Sequence, residues 1–259
     1  ENYSAAGIHG ITIWRNVLEN QNLKEAKELL NDFGMEVVSV ARGGFFPSVE
    51  KEKRQIAIDD NLFCVDQAAA VGSPLIVLVC GADGGQTLEK SREQIKEGIL
   101  KILPQAKAAG VKLAIEPLHP MYAGDRSAIN TLAQANQMAE EINSDFVGIA
   151  VDVYHLWWDN NLQNEIIRCG KNGNLLAFHV CDWNVPTIDF LNDLFVSFRH
   201  HMLVVCCHIN IGVTQAVLYV LDVEAGLQHQ GSMEMPQVME ADMGELVALK
   251  EIAEPKRVV

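Results

Sequence analysis

Basic residues are scarce in this chain: 20 lysines and arginines stand against 34 aspartates and glutamates, a formal charge of −14 over 259 residues. A surface of that sign repels phosphate polymers and anionic lipid faces, so no nucleic-acid partner is expected. Long apolar runs are missing as well. The greasiest stretches, Leu75–Cys80 and Met202–Cys207, are about six residues long, whereas a bilayer-spanning helix needs roughly 20, and no membrane partner is expected. The six cysteines (64, 80, 169, 181, 206 and 207) contain no Cys-x-x-Cys pair. Most lie in apolar, strand-like runs where a buried thiol is the expected state, which suits a reducing cytoplasm. No basic-then-apolar leader follows Glu1, so no secretion signal is read there. What the chain does have is apolar content: 49% of its residues, enough for the core of one large domain, and 1–259 is read as a single domain.

Short β-branched runs alternate with longer stretches of helical period. Gly10–Trp14 reads as a strand, Leu23–Phe33 as a helix stopped by Gly34, and Met35–Ala41 as the next strand. The loop Arg42-Gly-Gly-Phe-Phe-Pro47 leads into a helix over Glu50–Val71, and Pro74–Cys80 is a strand. Thr87–Ala109 is helical and closed by Gly110, Val111–Ile115 is a strand, and a helix follows near Ala128–Ile142. Val147–Val153 and Leu175–Val180 are strands separated by a helix over Asn161–Cys169. Strand starts therefore recur at intervals of roughly 25 to 39 residues, the length of a βα unit. Helical connections imply parallel strands buried on both faces, hence their continuous Val/Ile/Leu composition.

Two architectures fit this rhythm, a doubly wound open sheet and a closed (β/α)₈ barrel. Neither GxGxxG nor GxxxxGK[ST] follows any strand, so the phosphate-cradling loop of a nucleotide-binding sheet is missing. Gly81-Ala-Asp-Gly-Gly85 comes nearest and reads as a flexible turn. Beyond about Asn192 the rhythm is lost; Val217–Val223 is the one strand-like run there.

The chemistry gathers at strand ends. Successive strands finish in Ile115-Glu116-Pro117-Leu118-His119, Val151-Asp152-Val153-Tyr154-His155 and Phe178-His179-Val180-Cys181-Asp182-Trp183. In a parallel α/β barrel such ends ring one mouth, where residues about 30 apart in sequence become neighbours. A lone carboxylate at a strand end is usually a surface cap. Two carboxylates and an imidazole on consecutive strands are a ready ligand set for a divalent cation.

Those three segments, with Arg42-Gly-Gly-Phe-Phe-Pro47 and Pro120-Met-Tyr-Ala-Gly-Asp-Arg126, resemble the sugar phosphate isomerase/epimerase branch of the xylose-isomerase-like barrels, also labelled AP endonuclease family 2. The resemblance covers about residues 7–190. It implies an α/β fold, a (β/α)₈ TIM barrel, here lacking strand one because the chain opens at the equivalent of the end of helix one, and diverging in the region 193–259. It also implies one divalent ion (Mn, Mg, Co or Zn) held by Glu, Asp, His and a second Glu from the last strand. Glu116, Asp152 and His179 match the first three; Glu224, 45 residues beyond His179, is the substitute for the fourth.

The function implied is metal-dependent isomerisation or epimerisation of a sugar or sugar phosphate by enediolate proton transfer, with Glu116 as the catalytic carboxylate. His155, Asp182, Arg42, Arg126, Trp14 and His119 are the candidate substrate-binding groups at the rim, while Trp157, Trp158, His200 and His201 are assigned to packing or solvent. The substrate is then a small sugar or cyclic polyol ketone. Keto-inositol dehydration is the alternative within the family, and a catalytically impaired barrel remnant lacking the last ligand is another. A remnant would leave sheet edges open to pairing with a second copy. The abasic-site endonucleases of the same fold need further histidines where this chain has Ala41-Arg42-Gly43 and Cys80-Gly81-Ala82, and its charge opposes DNA.

Overall fold

Residues 2–181 and the short strand 205–207 are described by the structure, a computed structural model. A helical turn, α1 (Asn2–Ala5), precedes β1 (Gly10–Trp14). Four helix–strand pairs follow in order: α2 (Leu23–Asp32), β2 (Glu36–Gly44), α3 (Lys51–Val71), β3 (Leu75–Val79), α4 (Leu88–Ala109), β4 (Lys112–Ile115), α5 (Leu132–Ile142) and β5 (Val147–Asp152). The short α6 (Val153–Leu156) and α7 (Leu162–Lys171) then lead to β6 (Leu175–Val180) and β7 (Val205–Cys207). The helix limits have local causes. Asn22, Thr87 and Thr131 accept backbone N–H groups at the starts of α2, α4 and α5, and Gly72 and Gly110 turn left-handed to close α3 and α4.

The strands lie in the sheet in sequence order, β1 to β7, and the first six are parallel. This is the βα succession of a TIM barrel, curled around one side. β7 differs: it runs antiparallel along β6, pairing His179 with Cys206. Side chains alternate between the two faces of each strand. Ile76, Leu78, Leu113, Ile115, Ile149, Val151 and Phe178 face outward into the layer shared with Val65, Ala68, Ile95, Ile99, Ile102, Leu132 and Ile166 of the helices. Each fully buried Leu or Ile in that layer contributes roughly 1.5–3 kcal/mol of transfer free energy. The other face carries a smaller cluster, Leu75, Val77, Ala114, Ala150 and Ala177.

The structure departs from the sequence reading at three places. β2 runs on to Gly44, so Arg42 to Gly44, read as the start of a loop, belong to the strand. α5 begins at Leu132, four residues later than the apolar pattern suggested. The Ser127 hydroxyl exchanges hydrogen bonds with the backbone of Ile129, and the Ala128 N–H donates to Gly81 O, so this backbone is already engaged outside a helix. Gly81 is likewise no free turn. Its N–H donates to Arg126 O, and it forms a bridge with Ser127.

Candidate metal centre

Glu116 follows β4 directly, and its N–H extends the ladder by donating to Leu78 O of β3 at 3.1 Å. Asp152 is the last residue of β5 and lies in register with His179 near the end of β6. Two residues before each of the three stands an alanine of the inner face, Ala114, Ala150 or Ala177. Period-two alternation therefore sends Glu116, Asp152 and His179 to the same side of the sheet, at the carboxyl ends of three neighbouring strands. The small alanines beneath them leave room for the side chains to converge.

Converge they do. One ligand atom from each residue lies within 4.8 Å of the others, and the residues are only 8%, 7% and 6% exposed, respectively. His179 Nδ1 stands 3.1 Å from Glu116 Oε1 and 3.6 Å from Asp152 Oδ2. The other Asp152 oxygen, Oδ1, accepts the Tyr154 N–H at 2.8 Å and caps α6. Among the described residues no lysine or arginine forms an ion pair with either carboxylate. Two carboxylates this close repel each other by about 3 kcal/mol at an effective dielectric constant near 20. One imidazole can offset at most one of the two charges. A divalent cation would balance both with the histidine neutral, so the donor set (two hard oxygens and one nitrogen) fits such an ion. Burial pushes the nearby Cys80 thiol up, and the charge of Glu116 adds to that, leaving the thiol protonated.

Around this centre the rim is aromatic. His155, buried on α6, accepts the His119 N–H on Nδ1 at 3.4 Å, so its Nε2 carries the ring proton. Tyr122 and Tyr154 pack edge-on against the His155 ring. Burial and a hydrogen bond with Tyr122 hold the Tyr154 phenol up at about 12. His119 is half-buried, and burial, aided by His155, lowers its pKa. The Trp157 ring stacks on His119 at 6.4 Å between centroids and Trp158 meets it edge-on at 5.7 Å, while Trp158 Nε1 donates to His155 O at 2.8 Å. The sequence reading gave both tryptophans to packing or solvent. Their contacts with His119 are packing of that kind.

The other rim candidates divide. Arg42 sits in a bulge near the end of β2 and Arg126 in the loop after β4, and both are exposed. Trp14 ends β1 at 40% exposure, three strands from β4 in the sheet order, or about 14 Å at ordinary strand spacing. Asp182 and Glu224 lie outside the described residues, as does Val217–Val223.

The segment Arg42–Pro47, read from the sequence as a loop that also carries the family resemblance, begins as the end of β2 and is tightly held. Gly44 adopts φ +114°, and a Cβ there would lie 1.9 Å from Val79 O. The buried Asn61 side chain of α3 accepts the Gly44 N–H at 2.6 Å and donates to Gly44 O at 2.7 Å, standing in for a strand partner. Phe46 then fills a notch at Gly98 of α4, where a Cβ would lie 2.3 Å from its ring.

A family model described as xylose isomerase-like TIM barrel matches residues 1–212. Among solved structures, protein SMc04130 from Sinorhizobium meliloti 1021 is 46% identical over 74% of this chain and 70% of its own, with a TM-score of 0.68. The 3-keto-D-glucoside 4-epimerase YcjR from E. coli is 22% identical over 69% of this chain and 70% of its own, with a TM-score of 0.60. The IOLI protein, whose structure holds a zinc atom, is 19% identical over 74% and 69%, with a TM-score of 0.59. No curated protein matches the chain. Among the described residues no helix is long and apolar enough to cross a membrane.

Proposed function

The chain belongs to the xylose isomerase-like TIM barrel family, and on that footing we propose that it is a divalent-metal-dependent isomerase or epimerase of a sugar or sugar phosphate. The observation that carries the reading is the convergence of Glu116, Asp152 and His179, three buried donors on adjacent strand ends with no lysine or arginine paired to them among the described residues. The zinc in the IOLI structure and the epimerase activity named for YcjR support it. A divalent ion held by these three residues would polarise the carbonyl of a hydroxy-ketone and so acidify the carbon beside it.

The chain's own groups supply the rest. Glu116 is the base that takes the proton from that carbon and returns it: to the neighbouring carbon in isomerisation, or, with a second acid on the opposite face, to the same carbon in epimerisation. Asp152 is held in place by the Tyr154 amide. Tyr122, Trp157 and Trp158, half-buried around His119 and His155, are the aromatic faces available to a sugar ring.

Metal analysis and isotope exchange test this together. The purified protein is expected to carry about one divalent ion per chain, lost in Glu116→Gln and His179→Gln. Ketoses incubated with it in deuterated water should take up label at the carbon beside the carbonyl. Metal uptake unaffected by both substitutions, or no exchange on any ketose with metal bound, would refute the assignment.

A further inference from the structure

The same mouth carries a charged feature that the proton transfer does not use. A bulge leaves Arg42 out of the β2–β3 ladder, since Ala41 pairs with Val77 and Gly43 with Leu78. Its guanidinium lies over the Phe45 ring, 5.1 Å from the centroid. The Arg126 guanidinium lies over Tyr122 at 4.9 Å. Gly81 joins the two loops: its N–H donates to Arg126 O at 2.8 Å, and a Cβ on it would lie 2.7 Å from the Phe45 Cα. The segments that carry the two arginines thus meet at one glycine, and each guanidinium is seated on its own aromatic ring.

Among the described residues neither guanidinium has a carboxylate within 4.0 Å, whereas Arg15, Arg92 and Arg168 each have one. Arg54 has none either, but it donates to the Ser48 and Val49 carbonyls, whereas Arg42 and Arg126 make no such side-chain hydrogen bond among the described residues. Partial burial and the like charge of Arg126 lower the Arg42 pKa, while the charge of Glu116 opposes the shift, so Arg42 feels both the other arginine and the metal centre. Two preoriented, mutually repelling forks are relieved by one anion set between them.

We propose that Arg42 and Arg126 form a subsite for an anionic group, a phosphate or a carboxylate, carried by the substrate. The subsite rests on the reading of Glu116, Asp152 and His179 as the reacting end, and it narrows the substrate to an acidic hydroxy-ketone.

Inorganic phosphate and acetate, titrated calorimetrically into the manganese-loaded full chain, serve as probes. The proteins compared are the wild type, Arg42→Gln, Arg126→Gln, the double variant and Arg42→Lys, with circular dichroism verifying the fold. Because both side chains are exposed, the substitutions leave the core untouched. Any phosphate held by the metal itself survives in the double variant, so the difference from wild type isolates the arginines. The expected result is at least tenfold weaker phosphate binding in each Gln variant, with Arg42→Lys intermediate. Tighter arginine-dependent binding of acetate assigns a carboxylate instead. Equal binding by the wild type and the folded double variant, or no saturable binding of either anion by the wild type, overturns the subsite. Manganese titrations of the same proteins separate the two readings: arginine-dependent anion binding by a chain that takes up no manganese keeps the subsite and removes the metal centre.

Discussion

Ala114, Ala150 and Ala177 lie directly beneath Glu116, Asp152 and His179, on the inner face of three adjoining strands. Ala150 is the middle one and fully buried, so methyl groups added there have nowhere to go but toward the neighbouring strands or the donors. Ala150→Val is therefore expected to cost about 1–3 kcal/mol in stability, read from urea unfolding, and to weaken manganese binding in a titration of the folded protein. Unchanged metal affinity would show that the alanines serve curvature alone. The three donors were legible in the sequence because each ends an apolar strand run, where a carboxylate or imidazole has no packing reason to be. Asn61 was not. A polar residue in the middle of a long helix gives no sign that it faces inward, and its partner, the Gly44 backbone, has no side chain to announce the contact.

The βα alternation was visible at the level of elements because buried parallel strands and amphipathic helices differ in period, and glycines mark where two of the long helices end. The start of α5 was misplaced because Ser127 and Gly81 tie the preceding residues into a turn and a bridge, contacts that depend on a loop 46 residues away. One helix also sets the position of a loop. Phe46 is 2% exposed against the notch at Gly98, and the segment leading to it carries Arg42. In a free helix, Gly→Ala would gain about 1 kcal/mol. Here the new methyl meets an aromatic ring that cannot retreat, at a cost of about 1–3 kcal/mol, so Gly98→Ala is expected to lower the unfolding midpoint. A raised midpoint would mean that the loop yields more readily than its packing implies.

On the scale of the whole molecule, the three donors come from three consecutive βα units, so an ion bound between them ties β4, β5 and β6 together in the folded state only. At free manganese 100-fold above its dissociation constant this linkage is worth about 2.7 kcal/mol, or roughly 5–10 °C in the thermal midpoint. The shift should appear on adding manganese to the wild type and be missing from His179→Gln, as thermal unfolding followed by circular dichroism can check. The part of the chain beyond Asn192, which holds Glu224, was the part that sequence periodicity could not order, since neither the two-residue nor the 3.6-residue pattern persists there. Asp152, finally, serves two neighbours at once. One oxygen faces His179, and the other secures the helical turn whose His155 accepts the amide of His119, on which Trp157 stacks and which Trp158 meets edge-on. The protein thus has a built-in optical reporter: occupancy of the centre should alter indole fluorescence, and replacing both rings by phenylalanine should silence that signal while leaving manganese uptake intact.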